Sequence, residues 1–109
     1  STSAMTWTAT KITTWGIIGD ATPAGWGAST PLAFNAVDGT WTITVDLIGT
    51  KYLKFRANND WAINFGDNSP VDNKPDYGGS DILIANSGNY TITLDIGIAG
   101  NYSYTIRRN

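Results

Sequence analysis

The chain has 109 residues, a net charge of -2 and no cysteine. Its length suits one domain with a single two-layer core and leaves no room for a second. Without a run of Lys or Arg it lacks the basic footprint of nucleic-acid binding, and without Cys it has neither a disulfide framework nor a thiolate metal site.

The start of the chain predicts a linker followed by one folded domain. The residues from Ser1 to Ala4 are small and polar, so we expect residues 1–6 to be a linker without function and residues 7–109 to form the domain. No segment has the roughly eighteen consecutive apolar residues of a membrane span, nor the charged and apolar start of a signal peptide. We therefore expect an excised mature domain of a larger polypeptide, without direct membrane insertion.

Alternation of apolar and polar residues predicts strands along the chain. The clearest cases are TWTITVDL and NYTITLDI, where every second side chain is apolar. The predicted strands are residues 15–19, 40–47, 52–57, 81–84, 89–96 and 102–107, with 7–12 as a further edge strand. The predicted turns are Asp38-Gly39, Ser87-Gly88 and Ala99-Gly100. Seven or eight short strands without helices predict an all-β, antiparallel two-sheet β-sandwich of the Ig-like kind.

Two segments are too rich in Gly, Pro, Asp and Asn for regular structure. They are residues 20–31, which contain Trp26, and residues 66–80. Loops longer than about twelve residues in a compact domain are usually functional or mobile, and we expect the second segment to border a site.

The five tryptophans occupy different sequence contexts. Trp41 is in phase with the apolar residues of its strand and is predicted to be core, and Trp15 to be core or its lid. We assign no role to Trp7, which lies near the N-terminus. Trp26 and Trp61 stand among Gly, Asn and Asp in loops, so we expect both rings to be exposed for a partner. The alternative is that each ring folds back as a lid over one end of the sandwich.

Polar residues surround Trp61 in KFRANNDWAIN. An aromatic face can stack on the C–H side of a pyranose ring, while Lys, Arg and Asn side chains hydrogen-bond its hydroxyls. This string therefore predicts a sugar site. The residues expected to bind the sugar beside the ring are Lys54, Arg56, Asn58 and Asn59. The plain alternative for the two cations is that they are solvated and protect a strand face from aggregation.

These motifs resemble the starch- and glycogen-binding β-sandwich modules. Such modules carry an aromatic residue in the loop after the first strand, then a Lys-Phe strand that leads to a second Trp seven residues beyond the Lys. Trp26, Lys54 and Trp61 match that pattern. Within the group, the chain is most similar to the C-terminal domains of the SusE and SusF family, outer-membrane lipoproteins that hold starch at the surface of Bacteroidetes cells. The segments that carry the likeness are GIIGDATPAGW, KFRANNDWAINFGDN and SGNYTITLDI.

The resemblance implies a noncatalytic site for α-1,4-glucan, the polymer of starch, in which both tryptophans stack on sugar rings and the lysine donates to two hydroxyls. It further implies that Tyr77 leans on the ligand and that Ser80 or Asp81 completes the site. It places the domain outside the cell, on the bacterial outer membrane. A flat β-glucan is an alternative ligand, and an Ig-like spacer or protein-docking module is an alternative function, although the amide-rich rim favours sugar.

Catalysis and cofactors are not expected. The chain has no His, Cys or Glu, which removes the commonest general base, the thiolate nucleophile and the usual glycosidase acid. The Asp and Asn residues between Asp67 and Asp81 are ligand types for Ca²⁺, but Leu83 stands where a calcium loop begun at Asp72 needs a bidentate Glu. Turn formation explains them, and a structural calcium is the open alternative. We expect a monomer.

Overall fold

The strands of the domain are short and connected by turns and loops. The structure, a computed structural model, describes residues 14–68, 72–97 and 102–109. Its strands are β1 (Trp15–Ile18), β2 (Thr30–Pro31), β3 (Ala33–Asn35), β4 (Thr40–Leu47), β5 (Lys51–Ala57), β6 (Asn64–Gly66), β7 (Asp76–Tyr77), β8 (Ile82–Ile84), β9 (Gly88–Asp95) and β10 (Ser103–Arg108). In these three ranges no helix is long and apolar enough to cross a membrane.

The strands form two antiparallel sheets, an arrangement consistent with a β-sandwich. One sheet has the order β2-β1-β5-β6-β7, and the other β10-β9-β4-β3. Strand β5 organises the first sheet because one edge pairs with β1, while the other pairs with β8 at residues 51–53 and with β6 at residues 55–56. The chain is therefore all-β over the described ranges, as its alternating pattern predicts.

The core is built from apolar side chains of strands in both sheets. Fully burying one such side chain stabilises a fold by about 1.5–3 kcal/mol. The largest fully buried side chains are Trp15, Ile17, Ile18, Leu53, Phe55, Ile92 and Leu94.

Two of the expectations about the strands change. Trp41 is only partly buried, because it pairs with Phe34 of the edge strand β3, a residue that is itself exposed. The described residues contain ten strand segments where seven or eight strands were expected, in part because long-range pairing produces β2 and β7 inside segments predicted to be irregular. The expectations for residues 1–6, for the edge strand at 7–12 with Trp7, and for the turn at 99–100 lie outside the described ranges.

A buried hydroxyl and carboxylate connect β10 to the start of the long loop. The Tyr104 hydroxyl donates to Asp67 Oδ2 at 2.6 Å, and the Asn73 backbone N–H donates to the same oxygen at 3.1 Å. Burial, together with the adjacent carboxylate, raises the pKa of Tyr104 well above its ordinary value. The hydroxyl therefore stays protonated in the folded state at pH values where an unfolded tyrosine ionises.

This raised pKa predicts a loss of stability in alkali. An unfolded tyrosine ionises near pH 10 while folded Tyr104 keeps its proton, so the free energy of unfolding should fall as pH rises above about 10. Below that pH the contribution is constant. The slope from this residue approaches about 1.4 kcal/mol per pH unit. Urea unfolding between pH 8 and 11 should show a steeper alkaline decline for the unsubstituted chain than for Tyr104→Phe, and equal slopes would refute the assignment.

Candidate functional site

Two tryptophan rings from separate loops lie side by side at the surface of the first sheet. Trp26 follows β1 in the loop to β2, and Trp61 lies in the loop between β5 and β6. The rings are 41% and 45% exposed, their centroids are 6.2 Å apart and their planes meet at 26°. This separation falls in the range of offset aromatic pairs, rather than that of direct face-to-face contact. Both rings are exposed, as their loop contexts predict.

The loop that carries Trp26 is fixed to β5 by hydrogen bonds to the backbone of Tyr52. Ala21 N donates to Tyr52 O at 3.0 Å, and Tyr52 N donates to Asp20 Oδ1 at 2.8 Å. The loop closes on itself where Gly19 N donates to Gly25 O at 3.1 Å. The position of Trp26 is therefore set by the same strand that leads to Trp61.

The loop that carries Trp61 turns through two asparagines in the left-handed region. Asn58 and Asn59 have φ angles of 56° and 52°, a conformation that Asn tolerates better than most residues. Asp60 N then donates to Ala57 O at 3.1 Å. This turn reverses the chain between β5 and β6 and puts Trp61 at its tip.

Two cations lie beneath the Trp61 ring on the outer face of β5. Lys54 Nζ is 5.9 Å and Arg56 Cζ 4.8 Å from the ring centroid, within the range of cation–π contacts. Lys54 and Arg56 are only 9% and 6% exposed, so the interpretation of them as solvated cations is wrong. Lys54 Nζ donates to Asn64 Oδ1 at 2.8 Å, and Asn64 Nδ2 donates to the Trp61 carbonyl at 2.9 Å.

The other polar residues predicted beside Trp61 have partners within the protein. Arg56 Nε donates to Ser29 Oγ at 2.6 Å, and its Nη2 donates to Asn59 Oδ1 at 2.9 Å. Asn58 Oδ1 accepts from Thr14 N at 3.3 Å. The sequence contains no signal for Ser29, because it comes close to Arg56 only through folding.

Tyr77 lies against the Trp61 loop. Its hydroxyl donates to the Ala62 carbonyl at 2.6 Å, and its ring meets Phe65 edge-on at 5.7 Å. The ring is exposed. The fold therefore brings Tyr77 of the long loop next to the loop with Trp61.

Ser80 and Asp81 lie between β7 and β8. The Ser80 backbone N–H and hydroxyl both donate to Asn68 Oδ1, at 3.0 and 3.2 Å. Asp81 is exposed and directly precedes Ile82, which pairs with Leu53, the neighbour of Lys54. Asp81 is thus the nearer of the two residues, along the sheet, to the lysine.

The carboxylates of the long loop accept hydrogen bonds from backbone N–H groups. Asp72 Oδ1 accepts from Lys74 N at 3.0 Å, and Asp76 Oδ2 accepts from Asn68 N at 2.8 Å, as turn-forming residues do. Where the structure describes the chain, it contains no group of three or more His, Cys, Asp or Glu side chains that could hold a metal ion.

Trp26, Trp61 and Lys54 together form what we call the ring surface. It offers two exposed rings, and beneath Trp61 the Lys54 ammonium, on a side chain that is 9% exposed, donates one of its hydrogen bonds to Asn64. Such a surface can stack on flat apolar faces of a ligand. Comparisons of the chain with protein-family models, curated proteins and solved structures found no match.

Proposed function

We propose that this domain is a noncatalytic carbohydrate-binding module that holds α-1,4-glucan on the ring surface. The observation that carries the proposal is the pair of exposed rings, Trp26 and Trp61, 6.2 Å apart beside a lysine ammonium. Each ring would stack on the C–H face of a glucose unit, and Lys54 would donate to hydroxyls at the edge of the sugar. An Ig-like form of the β-sandwich, carrying the site on its outer face, is part of this proposal.

The tilt of the rings supports an α-glucan over a β-glucan. A flat β-1,4-glucan fits aromatic rings that lie in one plane, whereas a coiled α-1,4-glucan turns each sugar relative to the next. The planes of Trp26 and Trp61 meet at 26°. Two inclined faces suit a curved chain, and the match of Trp26, Lys54 and Trp61 to the starch-binding modules supports the same ligand.

The residue types of the chain and its resemblance to a binding family support a binding role without catalysis. The chain lacks His, Cys and Glu, so a hydrolytic acid and base pair would have to come from Asp alone. The resemblance to the SusE and SusF domains supports an extracellular location on a larger polypeptide of the bacterial surface. The domain would act as a monomer there, adding affinity for polysaccharide to the protein that carries it.

The affinity should be modest and insensitive to salt. Exposed hydrogen bonds contribute about 0.5–1.5 kcal/mol each, which together with two stacked rings gives a dissociation constant in the micromolar range or weaker. The ligand is neutral, so screening by salt removes little of the interaction.

Isothermal titration with maltoheptaose and, in parallel, cellohexaose tests this proposal. We expect heat from maltoheptaose and none from cellohexaose, because only the former is coiled. Heat from cellohexaose alone would retain a sugar site and overturn the α-glucan assignment. If neither sugar produced heat, the result would contradict the proposal and favour a spacer or protein-docking module.

A further inference from the structure

The two loops of the ring surface are joined by a single guanidinium group. Ser29, three residues after Trp26, and Asn59, two residues before Trp61, are 30 positions apart in the chain. Arg56 donates to both of them, through Nε to Ser29 Oγ at 2.6 Å and through Nη2 to Asn59 Oδ1 at 2.9 Å. One side chain of β5 thus connects the loop of the first ring to the loop of the second.

A direct contact between the loops closes this arrangement. Ser29 N donates to Asn59 Oδ1 at 2.8 Å, so that one amide oxygen accepts from both Ser29 and Arg56. The left-handed φ of 52° at Asn59 belongs to the turn that places its side chain there. Ser29, Arg56 and Asn59 therefore bond one another in a closed triangle, which we call the clamp.

The setting of Arg56 suits a residue that positions the rings. It is 6% exposed and lies 4.8 Å from the Trp61 centroid, with a hydroxyl, an amide and an indole as neutral partners. A buried cation needs such partners. The planar guanidinium holds its donors in fixed directions, so it can bond two loops and support a ring at once, whereas the ammonium of a lysine cannot reproduce that fork.

We propose that Arg56, Ser29 and Asn59 are positioning residues that fix the spacing and tilt of Trp26 and Trp61 instead of contacting the ligand. The consequence for sugar binding rests on the proposed function, since a fixed 26° tilt selects a curved glucan. The structural part of the proposal concerns the two rings alone and holds for the free domain. Fixing the rings before binding removes the ordering cost that loose loops would add.

Arg56→Lys is the variant that tests the clamp. It keeps the positive charge but removes the planar guanidinium that donates to both Ser29 and Asn59. Ring-to-ring nuclear Overhauser effects between Trp26 and Trp61 report the spacing without any sugar, and titration with maltoheptaose reports binding. We expect Arg56→Lys to weaken or abolish the ring-to-ring effects and to lower the affinity by about tenfold through lost preorganisation. Arg107→Lys, on the exposed part of β10, is the matched control and should change neither.

Two outcomes would overturn the clamp. If Arg56→Lys keeps the ring-to-ring effects and the affinity, the guanidinium does not position the rings. If it keeps those effects but loses affinity, Arg56 contacts the sugar directly. Ser29→Ala, which removes one acceptor, gives the same test if Arg56→Lys does not fold. A free domain that binds no glucan would refute the proposed function, while the ring-to-ring comparison would still decide the clamp.

Discussion

Replacement of Trp61 by alanine should abolish measurable binding of maltoheptaose while the fold stays intact. The substitution removes one of the two stacking faces and the indole that covers Lys54 and Arg56. Losing the burial of one large apolar side chain costs about 1.5–3 kcal/mol, a roughly 10- to 150-fold drop in affinity. Because the dissociation constant of the unsubstituted domain is expected to be micromolar or weaker, such a drop makes binding too weak for calorimetry to detect. Calorimetry and a thermal unfolding curve on the same sample provide the two readouts.

Phe34→Ala is the matched control for Trp61→Ala. Phe34 is an aromatic residue that is 54% exposed, comparable to Trp61, but it belongs to β3 of the other sheet and packs on Trp41. Its removal should leave maltoheptaose binding unchanged. Equal loss of binding in both variants, or unaltered binding by Trp61→Ala in a folded domain, would show that the sugar does not bind on the ring surface.

Gly19→Ala should destabilise the domain severely, with the largest effect on stability that we predict. Gly19 directly follows β1 and opens the Trp26 loop with a φ of 147°, and a Cβ there would lie 2.1 Å from Tyr52 O and 2.6 Å from Leu53 Cα. Both are backbone atoms of the central strand and cannot move aside. Strain and overpacking together should lower the free energy of unfolding by about 3 kcal/mol or more, measurable by urea unfolding.

Gly39→Ala separates the close contact from the unusual backbone angle. Gly39, in the turn between β3 and β4, has a φ of 74°, but apart from its chain neighbours no described residue comes within 4 Å of the place that a Cβ would take. Its substitution should cost only the left-handed penalty of about 1–2 kcal/mol. If the two variants lose the same stability, the close approach of Gly19 to β5 is not what requires glycine.

Local periodicity made the long strands β4 and β9 and the two faces of β5 predictable. The alternation in β4 and β9 depends on neighbours in sequence, and both strands lie where it predicts them. In β5 the same rule assigns Leu53 and Phe55 to the core and Lys54 and Arg56 to the outer face, where they lie beneath Trp61. The exposure of the two loop tryptophans could likewise be inferred from their polar neighbours.

Contacts between distant segments could not be read from the sequence. The burial of Lys54 and Arg56 depends on the Trp61 loop turning back over the strand that precedes it, which no periodicity encodes. Ser29 joins the site only because β2 pairs with β1 and brings it beside β5. Trp41 occupies a strand position that alternation assigns to the core, yet the burial of its side chain depends on how far the edge strand β3 is covered.

The most direct test of sugar binding on the ring surface is a nuclear magnetic resonance titration of the tryptophan indole N–H signals with maltoheptaose. The chain has five tryptophans and hence five such signals, assignable by single substitutions. We predict that the signals of Trp26 and Trp61 shift together along one saturation curve, while those of Trp15 and Trp41 do not move. Unmoved signals from Trp26 and Trp61 at saturating sugar, or shifts confined to other tryptophans, would contradict the account.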